Sequence, residues 1–132
     1  MSSLQKILVV EDSPTTRRQI TDILESQGYE VITAEDGEAA LRLVREHHPE
    51  LVVLDIVLPK KNGYQVCRNI KADPELAIKV MMLTAKDQEK DRIWGQRQGA
   101  DVYLSKPVDA DELVKTVNSM VSTTSSATTP TE

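Results

Sequence analysis

A single α/β domain built on a parallel sheet is what this sequence predicts, and three observations carry that expectation. Five short apolar runs, Lys6 to Val10, Glu30 to Ala34, Leu51 to Leu54, Lys79 to Leu83 and Asp101 to Leu104, recur with helix-like segments between them, a β-then-α alternation repeated five times. Three of the runs, Ile7-Leu8-Val9-Val10, Leu51-Val52-Val53-Leu54 and Val80-Met81-Met82-Leu83, are apolar at consecutive positions, as in strands covered on both faces. The 132 residues, 39% hydrophobic and 28% charged, suit one globular domain with one core.

Each connecting segment carries its own helix signals. After the first run, Ser13 is placed to cap a helix and Pro14 to occupy its first position, Ile20, Ile23 and Leu24 share one face, and Gly28 ends it. The second helix spans Gly37 to His47 with Ala40, Leu43 and Val44 inward, and Pro49 forbids its continuation. Asn62 to Ala72, Gln88 to Gln98 and Asp111 to Val121 supply the remaining three. From Ser122 the composition turns to Ser and Thr, leaving little to bury, so residues 1–121 form the domain and 122–132 a disordered tail.

Charge and cysteine usage exclude several classes. Sixteen Lys plus Arg against 21 Asp plus Glu give a net charge of −5, so the chain lacks the basic footprint of a nucleic-acid binder. Cys67 stands alone and cannot form an internal disulfide, no apolar run approaches a membrane span of about 20 residues, and Met1 to Gln5 is no signal peptide. The expected compartment is the cytoplasm.

The polar residues at the ends of the strands are the informative ones. Glu11 and Asp12 follow the first strand, Asp55 ends the third, Thr84 ends the fourth and Lys106 follows the fifth. Ligands of open parallel sheets bind outside the carboxyl ends of the strands, so these side chains converge from distant positions. Three carboxylates brought together repel one another unless a cation neutralises them, and an all-oxygen donor set selects a hard ion such as Mg²⁺. Beside such an ion a carboxylate is a phosphoryl acceptor; Lys106 can balance the developing charge and Thr84 can donate to a phosphoryl oxygen. The Pro59 to Gly63 turn leaves Asp55 at an accessible mouth.

With those residues in place, the chain resembles the receiver domain of a two-component response regulator over about residues 5 to 121. The resemblance rests on Glu11-Asp12, on Asp55 within Leu54-Asp55-Ile56-Val57-Leu58-Pro59 with Gly63 beyond, on Thr84-Ala85 and on Lys106-Pro107. It implies a flavodoxin-like (βα)5 three-layer sandwich with a five-stranded parallel sheet of order 2-1-3-4-5. It implies that Asp12 binds Mg²⁺ directly and Glu11 through water, that Asp55 both binds the ion and accepts phosphate, and that the Val57 carbonyl is a further ligand. It also implies a cis Lys106-Pro107 bond, and a switch in which Thr84 bonds the phosphate and Tyr103 turns inward. Glu11 departs mildly from the pattern, where Asp is commoner. Thr84-Ala85-Lys86-Asp87-Gln88-Glu89, Trp94 to Ala100 and Lys106-Pro107-Val108-Asp109 further resemble stand-alone receivers of pilus-driven twitching or phototaxis systems.

The resemblance implies a histidine kinase as phosphoryl donor. The output is expected on a partner protein that reads the face made by the fourth helix, last strand and last helix, since eleven residues after Val121 are too few for a helix-turn-helix. It is therefore a switch rather than a metabolic enzyme, and a monomer, because Lys115 is the one basic residue of the last helix. The rival is a phosphorylation-independent binding module with the same fold; a phosphatase using Asp55 is disfavoured because Val57 stands where a second acid is needed. Blander roles suit the other residues: Ser13 as a cap, Trp94 packed on the sheet, His47 and His48 at a helix end, Cys67 as a small hydrophobe, Lys60 and Lys61 in a solvated loop.

Overall fold

The helix boundaries follow from local chemistry. In the computed structural model of the chain, which describes residues 5–85 and 99–125, strand β1 (Lys6–Val10) leads into helix α1 (Pro14–Ser26), whose first turn is capped by the Ser13 side chain accepting from the Thr16 N–H. Gly28, at φ 91°, takes the left-handed conformation beyond the end of α1 that glycine adopts without a Cβ penalty. Strand β2 (Glu30–Ala34) is followed by α2 (Gly37–His47), where Asp36 accepts from the Ala39 N–H at 2.8 Å. Strand β3 (Leu51–Asp55) precedes α3 (Gly63–Ala72), opened by a reciprocal capping box between Asn62 and Gln65. Strands β4 (Lys79–Ala85) and β5 (Val102–Lys106) and helix α4 (Ala110–Ser125) complete the described elements.

All strand pairs are parallel, in the order β2-β1-β3-β4-β5, the order expected from the resemblance. Side chains alternate across the sheet. Leu8, Val10, Val52, Leu54, Val80 and Met82 face α2 and α3, meeting Ala40, Val44, Val66, Cys67 and Ile70. Ile7, Val9, Leu51, Val53, Met81 and Leu83 face the other way, meeting Ile20 and Leu24 of α1 and Leu113, Val117 and Met120 of α4. The three consecutive apolar runs are therefore β1, β3 and β4, buried on both sides.

The structure moves several boundaries. Strand β3 ends at Asp55 as expected, but β4 runs on to Ala85, and β5 is Val102–Lys106 rather than Asp101 to Leu104, because Thr84 pairs with Ser105 and Ala85 with Lys106. Ladder hydrogen bonds extend strands past their apolar stretch, since they use the backbone alone. Helix α4 runs to Ser125, four residues beyond Val121 into the Ser-Thr tract, as each added residue gains a helical bond without a new nucleus. The helix expected over Gln88 to Gln98, with Trp94, lies outside the described residues, as do residues 126–132 of the expected tail.

Candidate functional site

Strand order reverses between β1 and β3: the chain leaves β1 for β2 on one side and returns to β3 on the other. Loops leaving the carboxyl ends of two such strands diverge and open a crevice. Glu11 and Asp12 follow β1 and Asp55 closes β3, so the acidic residues flank that crevice. One carboxylate oxygen from each of Glu11, Asp12 and Asp55 lies within 4.8 Å of the other two. Glu11 and Asp55 are buried and Asp12 is exposed.

Lys106, the last residue of β5, spans β4 to reach them. Its Nζ lies 2.9 Å from Asp55 Oδ2 and 3.0 Å from Glu11 Oε1. Burial opposes the ammonium, but the bonds to Asp55 and Glu11 outweigh it and raise the lysine pKa above its ordinary value. Burial also pushes the Glu11 carboxyl up, with Asp55 adding to the push; the contacts from Lys106 and the Ser13 N–H pull it down without cancelling the rise. Three carboxylates against one ammonium leave two negative charges in excess.

Asp55 is presented by its own loop. The Val57 N–H donates to Asp55 Oδ1 at 3.3 Å and the Gly63 N–H to the Ile56 carbonyl at 2.8 Å. Gly63 lies so close beneath this turn that a Cβ there would fall 2.7 Å from Ile56 Cα and nearer still to the Asp55 carbonyl oxygen. A larger residue at 63 would displace the strand end that carries Asp55. The Val57 side chain is 77% exposed at the mouth.

Of the other expected site residues, Thr84 stands on β4 one position beyond Leu83, which is level with Asp55. Tyr103 is half-buried on β5, level with Met82, and packs against the core beneath α2 and α3. The Lys106-Pro107 bond is cis, as expected. A cleft of about 120 Å³ lined by Thr16, Gln19, Lys106, Pro107 and Val108 opens beside the lysine.

The donor set fits Mg²⁺. All three side chains offer hard oxygen ligands of the kind a small divalent cation selects, with one oxygen of each within 4.8 Å of the others. The excess of two negative charges equals the charge of a divalent ion.

Two contacts escape sequence reasoning. The Ser13 N–H donates to Glu11 Oε2 at 3.1 Å, so the turn that starts α1 also holds a site carboxylate. Arg17 Nη1 donates to the Glu11 carbonyl at 2.9 Å; an arginine early in a helix reads as solvent-facing, and nothing in its spacing signals otherwise.

Comparison with known proteins shows the family and the fold. The response regulator receiver domain family matches residues 7–118. Protein PilH of Pseudomonas aeruginosa is 45% identical over 119 residues, covering 89% of this chain and 98% of that protein; the chain spans about half the length of several transcriptional regulators it also matches. A putative response regulator from Chloroflexus aurantiacus superposes with a TM-score of 0.88 at 31% identity, covering 91% of this chain and 99% of the other. The chemotaxis response regulator CheY4 of Vibrio cholerae superposes with a TM-score of 0.84 at 27% identity, over 89% and 99% respectively.

Proposed function

The chain belongs to the response regulator receiver family, and we propose that Asp55 is its phosphoryl acceptor, with a histidine kinase as donor. The observation that carries this reading is the contact of Lys106 with Asp55 at 2.9 Å inside a three-carboxylate cluster at the point of strand reversal. A carboxylate oxygen of Asp55 forms the new O–P bond as the donor's N–P bond breaks, and the imidazole nitrogen departs with the electron pair. Lys106 moves no proton: it holds Asp55 in place and meets the charge that develops on the phosphoryl oxygens.

Asp12, Asp55 and the Val57 carbonyl would hold Mg²⁺, with Glu11 acting through a water. When bound, the ion neutralises the cluster and the charge spread over the transferring group. Thr84, beyond the level of Asp55, would donate its hydroxyl to a phosphoryl oxygen, and Tyr103 would fill the space that Thr84 vacates. Such a shift selects between two existing conformations rather than creating a new one. The face made by residues 88–98, β5 and α4 would then change, and a partner protein would read it. The likeness to PilH and to a chemotaxis response regulator supports a place in motility or taxis signalling; a cytoplasmic monomer is the reading taken from the sequence, whose last helix carries Lys115 as its one basic residue.

Val57 bears on the lifetime of the signal. Its apolar side chain is exposed at the mouth and cannot orient a hydrolytic water. Self-dephosphorylation is therefore slow, and Val57→Asn quickens it; an unchanged decay rate refutes this.

The decisive experiment is intact-mass spectrometry after incubation with acetyl phosphate and Mg²⁺. One phosphoryl group on the wild type, and none on Asp55→Asn or in chelator, is expected. An unmodified wild type overturns the reading in favour of a phosphorylation-independent binding module.

A further inference from the structure

Glu11 is held at all four of its polar groups, by four different parts of the fold. Its N–H donates to the Ala34 carbonyl at the end of β2, 3.1 Å away. One carboxylate oxygen accepts from the Ser13 N–H and the other faces Lys106 of β5. Its carbonyl accepts from Arg17 Nη1 of α1 at 2.9 Å, and the second guanidinium nitrogen of Arg17 stands 3.6 Å from Glu35 Oε2, just past β2. The Arg17 side chain is 18% exposed, whereas that of its neighbour Arg18 is 81% exposed and makes only a surface ion pair with Asp22 at 3.5 Å on its own helix, so only the first reaches the turn after β1.

We propose that Arg17 is a positioning residue for the metal site: by clamping the Glu11 carbonyl between α1 and Glu35 it fixes the turn from which Glu11 and Asp12 present their carboxylates. The guanidinium suits the task because its rigid fork donates to the Glu11 carbonyl with one nitrogen while the other lies 3.6 Å from the exposed Glu35 carboxylate. Partners that orient ligands in this way typically govern metal affinity by about 10- to 100-fold. The inference rests on the Mg²⁺ reading above and adds a residue to it.

A cation near an acidic cluster has a second effect of opposite sign. By charge alone, removing Arg17 would strengthen the binding of a divalent ion; by loss of the clamp it weakens it. Calorimetric titration with Mg²⁺ of wild type, Arg17→Met and Arg18→Met separates the two. Arg17→Met is expected to bind about tenfold more weakly, whereas Arg18→Met, with the same change of net charge, stays within about twofold of wild type. In metal-free Arg17→Met the Ser13 amide proton resonance moves upfield, because its bond to the displaced Glu11 carboxylate lengthens. Urea unfolding without Mg²⁺ checks that the variant is folded, and if it is not, Arg17→Gln, neutral and too short to span both acceptors, carries the same readings. Mg²⁺ binding by a folded position-17 variant that equals or exceeds the wild type overturns the inference while leaving the metal site standing. A wild type that binds no Mg²⁺ overturns both.

Discussion

Two lysine–aspartate contacts sit at opposite ends of one sheet. At the amino ends of the strands, Lys71 of α3 lies 2.7 Å from Asp101 Oδ2, and the backbone completes both partners: the same oxygen accepts the Val80 N–H at 2.8 Å, and the Lys71 ammonium donates to the Ile78 carbonyl at 3.1 Å. At the carboxyl ends, Lys106 meets Asp55 at an almost equal distance but shares itself with Glu11 in a cluster two charges short of neutrality. The first pair joins one cation to one anion and ties α3 to the starts of β4 and β5. The second keeps unmatched carboxylate oxygens at a mouth, which costs stability and leaves capacity for chemistry.

The largest contrast is expected from removing each lysine. Lys106→Met slows phosphorylation of Asp55 by acetyl phosphate by about 100-fold, read as the rate of adduct formation by mass spectrometry, while Lys71→Met leaves that rate within about twofold. Equal losses from both would erase the distinction between the two ends.

Next in size is stability. Asp101→Ala frees the Val80 N–H and the Lys71 ammonium; with the pair partly open to solvent, the expected cost is about 1–2 kcal/mol in urea unfolding.

Glu11→Gln acts in the opposite direction. Because its folded carboxyl pKa is raised, Glu11 favours the folded state most when protonated, at pH values below its unfolded pKa, and that contribution is lost as pH rises through the folded value. A glutamine keeps the neutral form at every pH. In the absence of Mg²⁺ the variant is therefore more stable than wild type at neutral pH in urea unfolding, and the advantage vanishes below about pH 4. A destabilised variant at pH 7 would show that the Lys106 contact outweighs burial.

The smallest effect is an absence of reaction. Cys67 is buried on α3 near Lys71 and Asp101, and burial pushes its thiol up to about 11. Iodoacetamide at pH 8 is expected to leave the native protein unmodified and to label it in urea. Rapid labelling of the native protein would mean that this end of the sheet opens readily.

The legible part of the fold came from periodicity and punctuation. Consecutive apolar residues in β1, β3 and β4, together with the cap at Ser13, are local signals, and local physics places them; the caps at Asp36 and Asn62 are as local but were found only in the structure. The carboxylates were legible for a related reason: Glu11, Asp12 and Asp55 interrupt or end apolar runs, where a charge has no packing role. Strand ends were less legible, because pairing of Thr84 with Ser105 depends on a neighbouring backbone rather than on hydrophobicity. Arg17 and the Lys71–Asp101 contact were not legible at all.

Composition and spacing by themselves determined an alternating α/β chain with acidic residues at its strand ends, and the resemblance supplied the strand order. The convergence of Asp55 and Lys106 at the strand ends was expected; tertiary structure alone decided that Lys106 also contacts Glu11 and that Lys71 meets Asp101. Lys106 reaches Asp55 across 51 positions of sequence, and Lys71 finds Asp101 across 30. Such pairings arise where the sheet brings strand ends together, and a hydrogen bond formed through three-dimensional closure leaves no period in the sequence from which it could be read.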